Sequence, residues 1–298
     1  MANASFGWIT QIAAKDGAQT ETLMDENLNF IRALHPPFDT LWFEDHLQWG
    51  ETAVLESWTT LATLAAIFPL LRCGTLVLCQ SFRNPALVAK MTASLQTITK
   101  GRLIVGIGAG WKEDEYQAYG YPFPTSTARL EQLEETATIL KKLWHESPAT
   151  FKGKHFSIEA AYCEPRPNPA PPLLIGGGGE KVTLRIVATH ADWMNLLFAD
   201  LETFKHKNRI LQHHCEKVGR DSDSITRTLY GYVFITPDGR KPAPRSGDKY
   251  IIYGNPERVG EQVSAFIEAG VEHFMLRFLD FPSIEGITLF QEEVLPRL

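Results

Sequence analysis

The chain has 298 residues, of which 44% are hydrophobic and 21% charged, the balance of a soluble globular protein with a large core. Its formal net charge of −6 is scattered along the sequence without a basic stripe, so we expect no binding to nucleic acid. The start of the chain has no signal-peptide pattern and no stretch is apolar enough for a membrane span, so we predict a cytoplasmic protein that does not contact membranes. The four cysteines show no CxxC spacing, and we predict neither a disulfide framework nor a zinc site.

Short apolar runs alternate with amphipathic segments from one end of the chain to the other, which is the pattern of βα units around a parallel sheet. Eight such units and a closing helix favour a closed barrel over a doubly wound open sheet. We therefore predict an α/β fold in which residues 1–298 form one (β/α)8 TIM barrel. The predicted strands are Phe6–Thr10, Thr40–Phe43, Gly74–Leu78, Leu103–Gly106, Leu173–Ile175, Trp193–Leu196, Leu229–Ile235 and His273–Phe278.

Two helices of the predicted outer ring carry clear signals. Between strands four and five, apolar residues recur at steps of three and four from Leu130 to Trp144, so one face of this helix can pack against the barrel. Before strand eight, Asn255-Pro256-Glu257 predicts a capped helix start and Gly270 predicts its end.

Two segments fit neither helical nor strand periodicity. Residues 151–172 are rich in proline and predict an inserted hairpin over the barrel mouth, before strand five. Residues 237–248 contain five charged residues and three prolines and predict a mobile loop after strand seven. We expect both segments to act as lids that control access to the mouth.

An acidic pair and an imidazole follow strand two, at the end of the barrel where parallel barrels carry their function. The residues are Glu44, Asp45 and His46. His46 is a candidate to donate or accept a proton near neutral pH. It could equally cap the next element or hydrogen-bond to Asp45, and the residue types leave both interpretations open.

Four consecutive glycines follow strand five, before a helix predicted to begin near Glu180. They are Gly176, Gly177, Gly178 and Gly179. Glycines let backbone N–H groups approach an anion at the positive end of a helix, so we favour a phosphate site over a simple tight turn. A P-loop is excluded because Lys181 lacks the flanking residues of that motif.

Strand four leads into a run of small residues, Gly106-Ile107-Gly108-Ala109-Gly110-Trp111, whose GxGxG spacing is not the dinucleotide fingerprint. The run predicts either a flat ring lying against the backbone, with Trp111 as a wall, or close packing of strand and helix. A second run, His213-His214-Cys215, is not expected to bind a metal because adjacent residues on a helix point in different directions.

Together these motifs resemble the luciferase-like monooxygenase superfamily and, within it, the oxidoreductases that depend on coenzyme F420. The resemblance covers nearly the whole chain. Besides Arg129, it is carried by residues 42–46, 74–77, 83–85, 101–111, 119–124 and 176–186.

The resemblance implies a bacterial-luciferase-like barrel that holds a flavin-type ring at its mouth, with the cofactor phosphate at the four glycines. It implies a bulge in strand three at Leu76-Val77, often a non-prolyl cis peptide, behind the ring. It also implies a catalytic His46 beside the reacting face, while Trp111 departs from relatives that have Glu at this place. The implied cofactor contacts are Asp45, Thr75, Leu76, Val77, Gly108, Ala109, Trp111, Gly176, Gly177, Gly178 and Gly179.

The function that this resemblance implies is metal-free hydride transfer between coenzyme F420 and a small organic substrate that the sequence does not identify. The alternative is an FMN-dependent monooxygenase, because a flavin forms a peroxide adduct with oxygen whereas a deazaflavin is largely confined to hydride transfer. A third hypothesis, from another class, is a flavin-binding protein without turnover. Relatives are commonly dimers, so we expect a homodimer.

Overall fold

A closed parallel barrel forms the centre of the molecule. The computed structural model describes residues 4–14, 17–243 and 250–298. All eight predicted strands are present, the last with its predicted bounds and the others with shifted ends, as β1 Ser5–Ile9, β2 Phe38–Phe43, β3 Arg72–Thr75, β4 Leu103–Gly108, β5 Leu173–Gly176, β6 Trp193–Leu197, β7 Thr226–Ile235 and β8 His273–Phe278. β8 pairs with β1 and β4 pairs with β5, so the sheet closes and the predicted TIM barrel is confirmed.

The strands are apolar on both faces because one face packs on helices and the other fills the barrel. The interior cluster contains Ile9, Trp42, Ile104, Leu174, Tyr230 and Met275. Trp42 is the largest of these, and a Cβ on Gly7 or on Gly74 would lie 2.3 Å from its ring. The two glycines on neighbouring strands therefore make the space that this indole occupies.

Nine α-helices lie within the described ranges, most of them following a barrel strand. Both predicted helices are confirmed. The helix Ser126–His145 buries Leu133, Ala137, Leu140 and Trp144. At the start of the helix Pro256–Glu268, Asn255 Oδ1 accepts the N–H of Arg258. Their bounds are α1 Gly17–Arg32, α2 Ser57–Ile67, α3 Pro85–Ile98, α4 Glu113–Ala118, α5 Ser126–His145, α6 Thr183–His190, α7 Leu201–Val218, α8 Pro256–Glu268 and α9 Glu285–Leu289.

The third strand is interrupted at Leu76-Val77, where the resemblance implied a bulge with a cis peptide, so this expectation is confirmed. The continuous strand over Gly74–Leu78 that the apolar pattern predicted is not present. β3 ends at Thr75, the Leu76-Val77 peptide is cis, and the chain resumes strand pairing with β4 at Leu78–Cys79. A Cβ on Gly106 would lie 2.0 Å from the Thr75 carbonyl oxygen, and one on Gly108 would lie 2.7 Å from Val77 Cγ2. These two glycines therefore pack closely against the neighbouring third strand, and not against a helix as one of the two interpretations of the GxGxG run predicted.

The inserted hairpin is present, but it does not lie over the mouth. Its strands are Ala149–Lys152 and Ser157–Ala161, and the backbone N–H groups of its turn donate to the carboxylate of Glu135 on α5. The prediction of a lid is wrong because a segment between a helix and the next strand leaves from the opposite end of the barrel and folds back along the outer face of α5.

β7 is longer than predicted and carries an additional parallel partner. Its pairing with β6 ends at Tyr230, and its pairing with the strand Ile251–Gly254 begins at Tyr232. A further antiparallel pair, Ala13–Ala14 with Ala53–Val54, ties together the loops after β1 and β2. Residues 244–248 of the predicted mobile loop 237–248 lie outside the described residues.

The described residues contain neither a membrane-spanning helix nor a group of side chains suited to a metal ion. In the described part of the chain no helix combines the length and apolarity that crossing a bilayer requires. Across the same ranges no group of three or more His, Cys, Asp and Glu side chains could hold a metal ion. His214 instead bonds to the Glu180 carbonyl oxygen, and Cys215 is buried.

Candidate active site

A cavity of about 580 Å³ opens at the C-terminal ends of the barrel strands. Residues within or just after each of the eight strands contribute to its lining, so it occupies the place where parallel barrels carry their function. The predicted site residues on this lining are Asp45, His46, Leu76, Val77, Gly108, Ala109, Trp111, Gly176, Gly177, Gly178 and Gly179. The structure thus brings together segments that are far apart in the sequence.

Thr75 is the predicted contact that lies elsewhere. Its side chain is fully buried, and Oγ1 both donates to the Gly106 carbonyl oxygen and accepts from the Gly106 N–H, at 2.8 Å each. This position is below the cavity surface, so the prediction of a cofactor contact at Thr75 is corrected. The side chain joins β3 to β4 directly under the cis peptide.

His46 is held by a carboxylate that the sequence analysis missed. Its Nδ1 lies 3.0 Å from Glu115 Oε1, and the Glu115 side chain is 2% exposed. The backbone N–H groups of Leu47 and Gln48 donate to the same oxygen. A carboxylate fixed by these donors orients the imidazole and leaves Nε2 as the nitrogen available for proton transfer.

Glu115 lies on α4, and its only sequence signal is the acidic run 113–115 after Trp111. The helix that follows Trp111 thus places an acid beside His46. The alternative in which His46 bonds to Asp45 is not observed, since both nearest carboxylate oxygens at Nδ1 belong to Glu115.

Asp45 forms an ion pair with Arg83. Its two carboxylate oxygens accept from Arg83 at 2.8 and 3.0 Å, and Oδ2 also accepts the N–H of Cys79. Burial lowers the pKa of Arg83, but the carboxylates of Asp45 and Glu56 outweigh it and raise the pKa above its ordinary value. Asp45 therefore anchors the resumed part of strand three while forming part of the cavity wall.

A second, half-buried ion pair lies on the cavity lining. Arg277 Nη2 is 2.6 Å from Glu44 Oε2, and the Tyr230 hydroxyl donates to Glu44 Oε1 at 2.9 Å. Burial raises the pKa of Glu44, but the charge of Arg277 outweighs it, so the pKa lies below its ordinary value. Glu44 is therefore ionised at neutral pH. Arg277 escaped the sequence analysis because it stands inside the apolar run of β8.

Two polar atoms of the lining are buried without a partner among the described residues. They are Asn195 Oδ1 and Arg277 Nε. A buried polar atom without a hydrogen bond costs roughly 1–3 kcal/mol. Both atoms lie beneath the cavity surface, and Asn195 is fully buried.

The glycine run forms a cradle at the start of α6. α6 begins at Thr183, three residues later than the predicted start near Glu180, and its N-cap residue Val182 makes no side-chain cap. A Cβ on Gly179 would lie 2.7 Å from Thr183 Oγ1, and one on Gly178 would lie 3.2 Å from Leu196 Cδ2. Side chains are thus kept away from an uncapped helix N-terminus, which is suited to an anion.

A groove of about 540 Å³ continues from the cavity past Gly178. Leu197 and Phe198 line both spaces, and Asp200, Thr203, Lys207 and Tyr250 line only the groove. The cavity and the groove together accommodate an elongated molecule whose anionic part lies between its two ends.

A parallel barrel with this interrupted third strand, an oriented imidazole and a glycine cradle is a scaffold for a phosphate-bearing cofactor. The chain matches the model of the luciferase-like monooxygenase family over residues 5–241, and it belongs to that family.

Proteins similar to this chain include F420-dependent dehydrogenases and a monooxygenase in complex with FMN. The chain is 24% identical to the F420-dependent glucose-6-phosphate dehydrogenase of Microbacterium testaceum, over 92% of this chain and 93% of that protein. A solved F420-dependent secondary alcohol dehydrogenase with an F420-acetone adduct superposes with a TM-score of 0.82 at 19% identity, covering 99% of this chain and 98% of the other. The oxygenating constituent of 3,6-diketocamphane monooxygenase from Pseudomonas putida, in complex with FMN, gives a TM-score of 0.79 at 17% identity, covering 100% and 99%.

Proposed function

We propose that this protein is an oxidoreductase that transfers hydride between coenzyme F420 and a small organic substrate. The observation that carries the proposal is the His46–Glu115 pair on the wall of a cavity that ends in a glycine cradle. The names of the F420-dependent relatives support the choice of cofactor. The predicted homodimer and cytoplasmic location belong to the same proposal.

The residues at the mouth fit an elongated cofactor with a phosphate. Gly178, Gly179 and Thr183 would hold the phosphate, and Leu76-Val77 would support the ring. The groove beside Lys207 would take the rest of the molecule. When bound, the deazaflavin supplies the centre that accepts or donates hydride.

His46 moves the proton that accompanies hydride transfer. With Nδ1 bonded to Glu115, Nε2 accepts the hydroxyl proton of an alcohol or, in the reverse direction, donates a proton to a carbonyl oxygen. The carboxylate of Glu115 stabilises the imidazolium that forms in the first case. The intact pair argues against a flavin-binding protein without turnover, which has no use for an oriented imidazole.

The cofactor is tested by titrating the purified apoprotein with coenzyme F420 and with FMN and measuring fluorescence. We expect tight binding of F420. Tight FMN binding with negligible F420 affinity would contradict the proposal and favour the FMN-dependent monooxygenase.

The phosphate cradle is tested in the same titration with Gly178→Asp and its uncharged counterpart Gly178→Asn. Both variants add a side chain of the same size, so only the carboxylate distinguishes them. We expect the Asp variant to bind F420 about tenfold more weakly than the Asn variant, because the carboxylate repels the phosphate. Gly177 is unsuitable for this comparison, since its φ of +124° strains any side chain. Equal affinities of the two variants would place the phosphate elsewhere.

A further inference from the structure

Two exposed tryptophans stand beside the proposed proton-transfer group. Trp49 is 45% exposed and Trp111 is 66% exposed, and both line the cavity. Their ring centroids are 6.2 Å apart, and each ring meets His46 edge to face, at 4.9 and 6.1 Å. Exposed aromatic surface at a cavity mouth marks a place where a ligand is bound. We call Trp49, Trp111 and His46 the aromatic rim.

The aromatic rim changes the assignment of Trp111. One interpretation of the GxGxG run made this residue a wall for a flat ring, and the resemblance implied that it contacts the cofactor. In the structure its ring contacts Trp49 and His46, both of which belong to the loop after β2. The indole therefore lies with the catalytic imidazole, where the reacting part of a substrate must come.

The charges of the cavity oppose an anionic substrate. Glu44, Asp45 and Glu115 place three carboxylates on the lining. Of the described lining residues, the cations are Lys112 and Arg277, and each already has a carboxylate partner. Glu44 and Asp45 are paired with Arg277 and Arg83, so Glu115 is the carboxylate of this set that no lysine or arginine of the described residues neutralises. An entering phosphate or carboxylate group would meet this charge and no cation released from its pair.

We propose that the aromatic rim binds the body of an uncharged, ring-bearing alcohol or ketone, so that sugar phosphates are not substrates of this protein. This inference rests on the proposed function. In the oxidative direction the alcohol loses the hydrogen on its carbinol carbon as hydride to oxidised coenzyme F420 and its hydroxyl proton to His46 Nε2, and becomes the ketone. Edge and face contacts with the two indoles hold the ring of the substrate.

The charge argument is tested with three probes by calorimetric titration of the full chain, as purified and again with saturating F420. The probes are acetophenone, 4-acetylbenzoate, which adds only a carboxylate to the same ketone, and glucose 6-phosphate. We expect acetophenone to bind about tenfold or more tightly than 4-acetylbenzoate, and glucose 6-phosphate not to bind. Tighter binding of either anion would overturn the proposal.

The role of the indole is tested with Trp111→Ala, Trp111→Phe and the control Tyr162→Ala, which removes an exposed aromatic ring on the inserted hairpin. We expect Trp111→Ala to weaken acetophenone binding about tenfold, while the other two variants stay within about threefold of the wild type. Acetophenone affinity that is unchanged in Trp111→Ala would overturn the proposal, as would an equal loss of F420 affinity, which would return Trp111 to the cofactor. Loss of the proposed function shows separately, as an absence of F420 binding, because the ketone is also titrated without cofactor.

Discussion

The interior of the barrel and its mouth each contain a histidine, and the two are held in opposite ways. In the interior, His273 is 1% exposed, its Nε2 accepts from Trp42 Nε1, and its Nδ1 lies 2.6 Å from the Ser5 hydroxyl. At the mouth, His46 has a carboxylate on Nδ1 and a nitrogen that faces the cavity.

The hydrogen-bond partners of each imidazole therefore decide its role. The indole N–H requires Nε2 of His273 to stay unprotonated, so the neutral ring is built into the barrel. Burial lowers the pKa of His273 to about 3, and the charge of Arg72 acts in the same direction. Glu115 can instead balance a proton on His46, which gives the ring at the mouth two usable states.

The largest expected effect is a loss of turnover when the histidine at the mouth is replaced. We expect His46→Ala to lower kcat by 10²–10⁴-fold, roughly what a positioned proton-transfer group contributes. The affinity for F420 should stay unchanged, and the exposed His213→Ala serves as a control. The measurement is steady-state kinetics with a substrate and F420. Turnover equal to that of the wild type would remove His46 from the mechanism.

The interior histidine is expected to control stability rather than turnover. Its folded pKa of about 3 lies below the ordinary value of 6.5, so between these values the unfolded chain binds the additional proton. Stability is therefore fully present above pH 6.5 and is lost as the pH falls, by up to about 1.4 kcal/mol per pH unit.

Urea denaturation of the wild type and of His273→Gln at pH 7, 6 and 5 measures this slope. The variant should show a smaller decrease over the same range, whatever its stability at pH 7. Parallel curves for the two proteins would show that the imidazole does not stay neutral in the folded state.

A smaller effect is expected from the carboxylate behind His46. Glu115→Gln keeps the shape of the side chain but replaces a charge-assisted hydrogen bond with a neutral one. We expect kcat to fall about tenfold, since the two kinds of bond differ by roughly 1 kcal/mol or slightly more. A loss as large as that of His46→Ala would mean that the carboxylate takes a direct part in the chemistry.

The fold follows from local patterns to a large extent. Strands that are apolar on both faces and helices with marked ends, such as α8, are visible within short windows of sequence. The break in the third strand is not, because it depends on Gly106 and Gly108 of a neighbouring strand, which make space for Thr75 and Val77. The hairpin was misplaced for a different reason: its proline-rich composition indicates an insertion, but its place between a helix and the next strand already puts its base at the end of the barrel opposite the mouth.

The candidate site could be predicted where residues follow strands directly, as His46 and the four glycines do. Glu115 was missed because its contact with His46 joins residues 69 apart, and an acidic run on a short helix is usually solvated. Arg277 was missed because one charge within an apolar strand gives no sign of the Glu44 that neutralises it.

The additional strand Ile251–Gly254 bounds a connection whose length can change at little cost in free energy. It fixes the far end of the segment that leaves β7, so residues 236–250 connect two paired strands. Doubling the length of such a connection costs only about 0.6 kcal/mol in closure entropy. Tyr232 lines the cavity on one side of this segment and Tyr250 lines the groove on the other. The length of this segment can therefore change while the barrel sequence stays as it is.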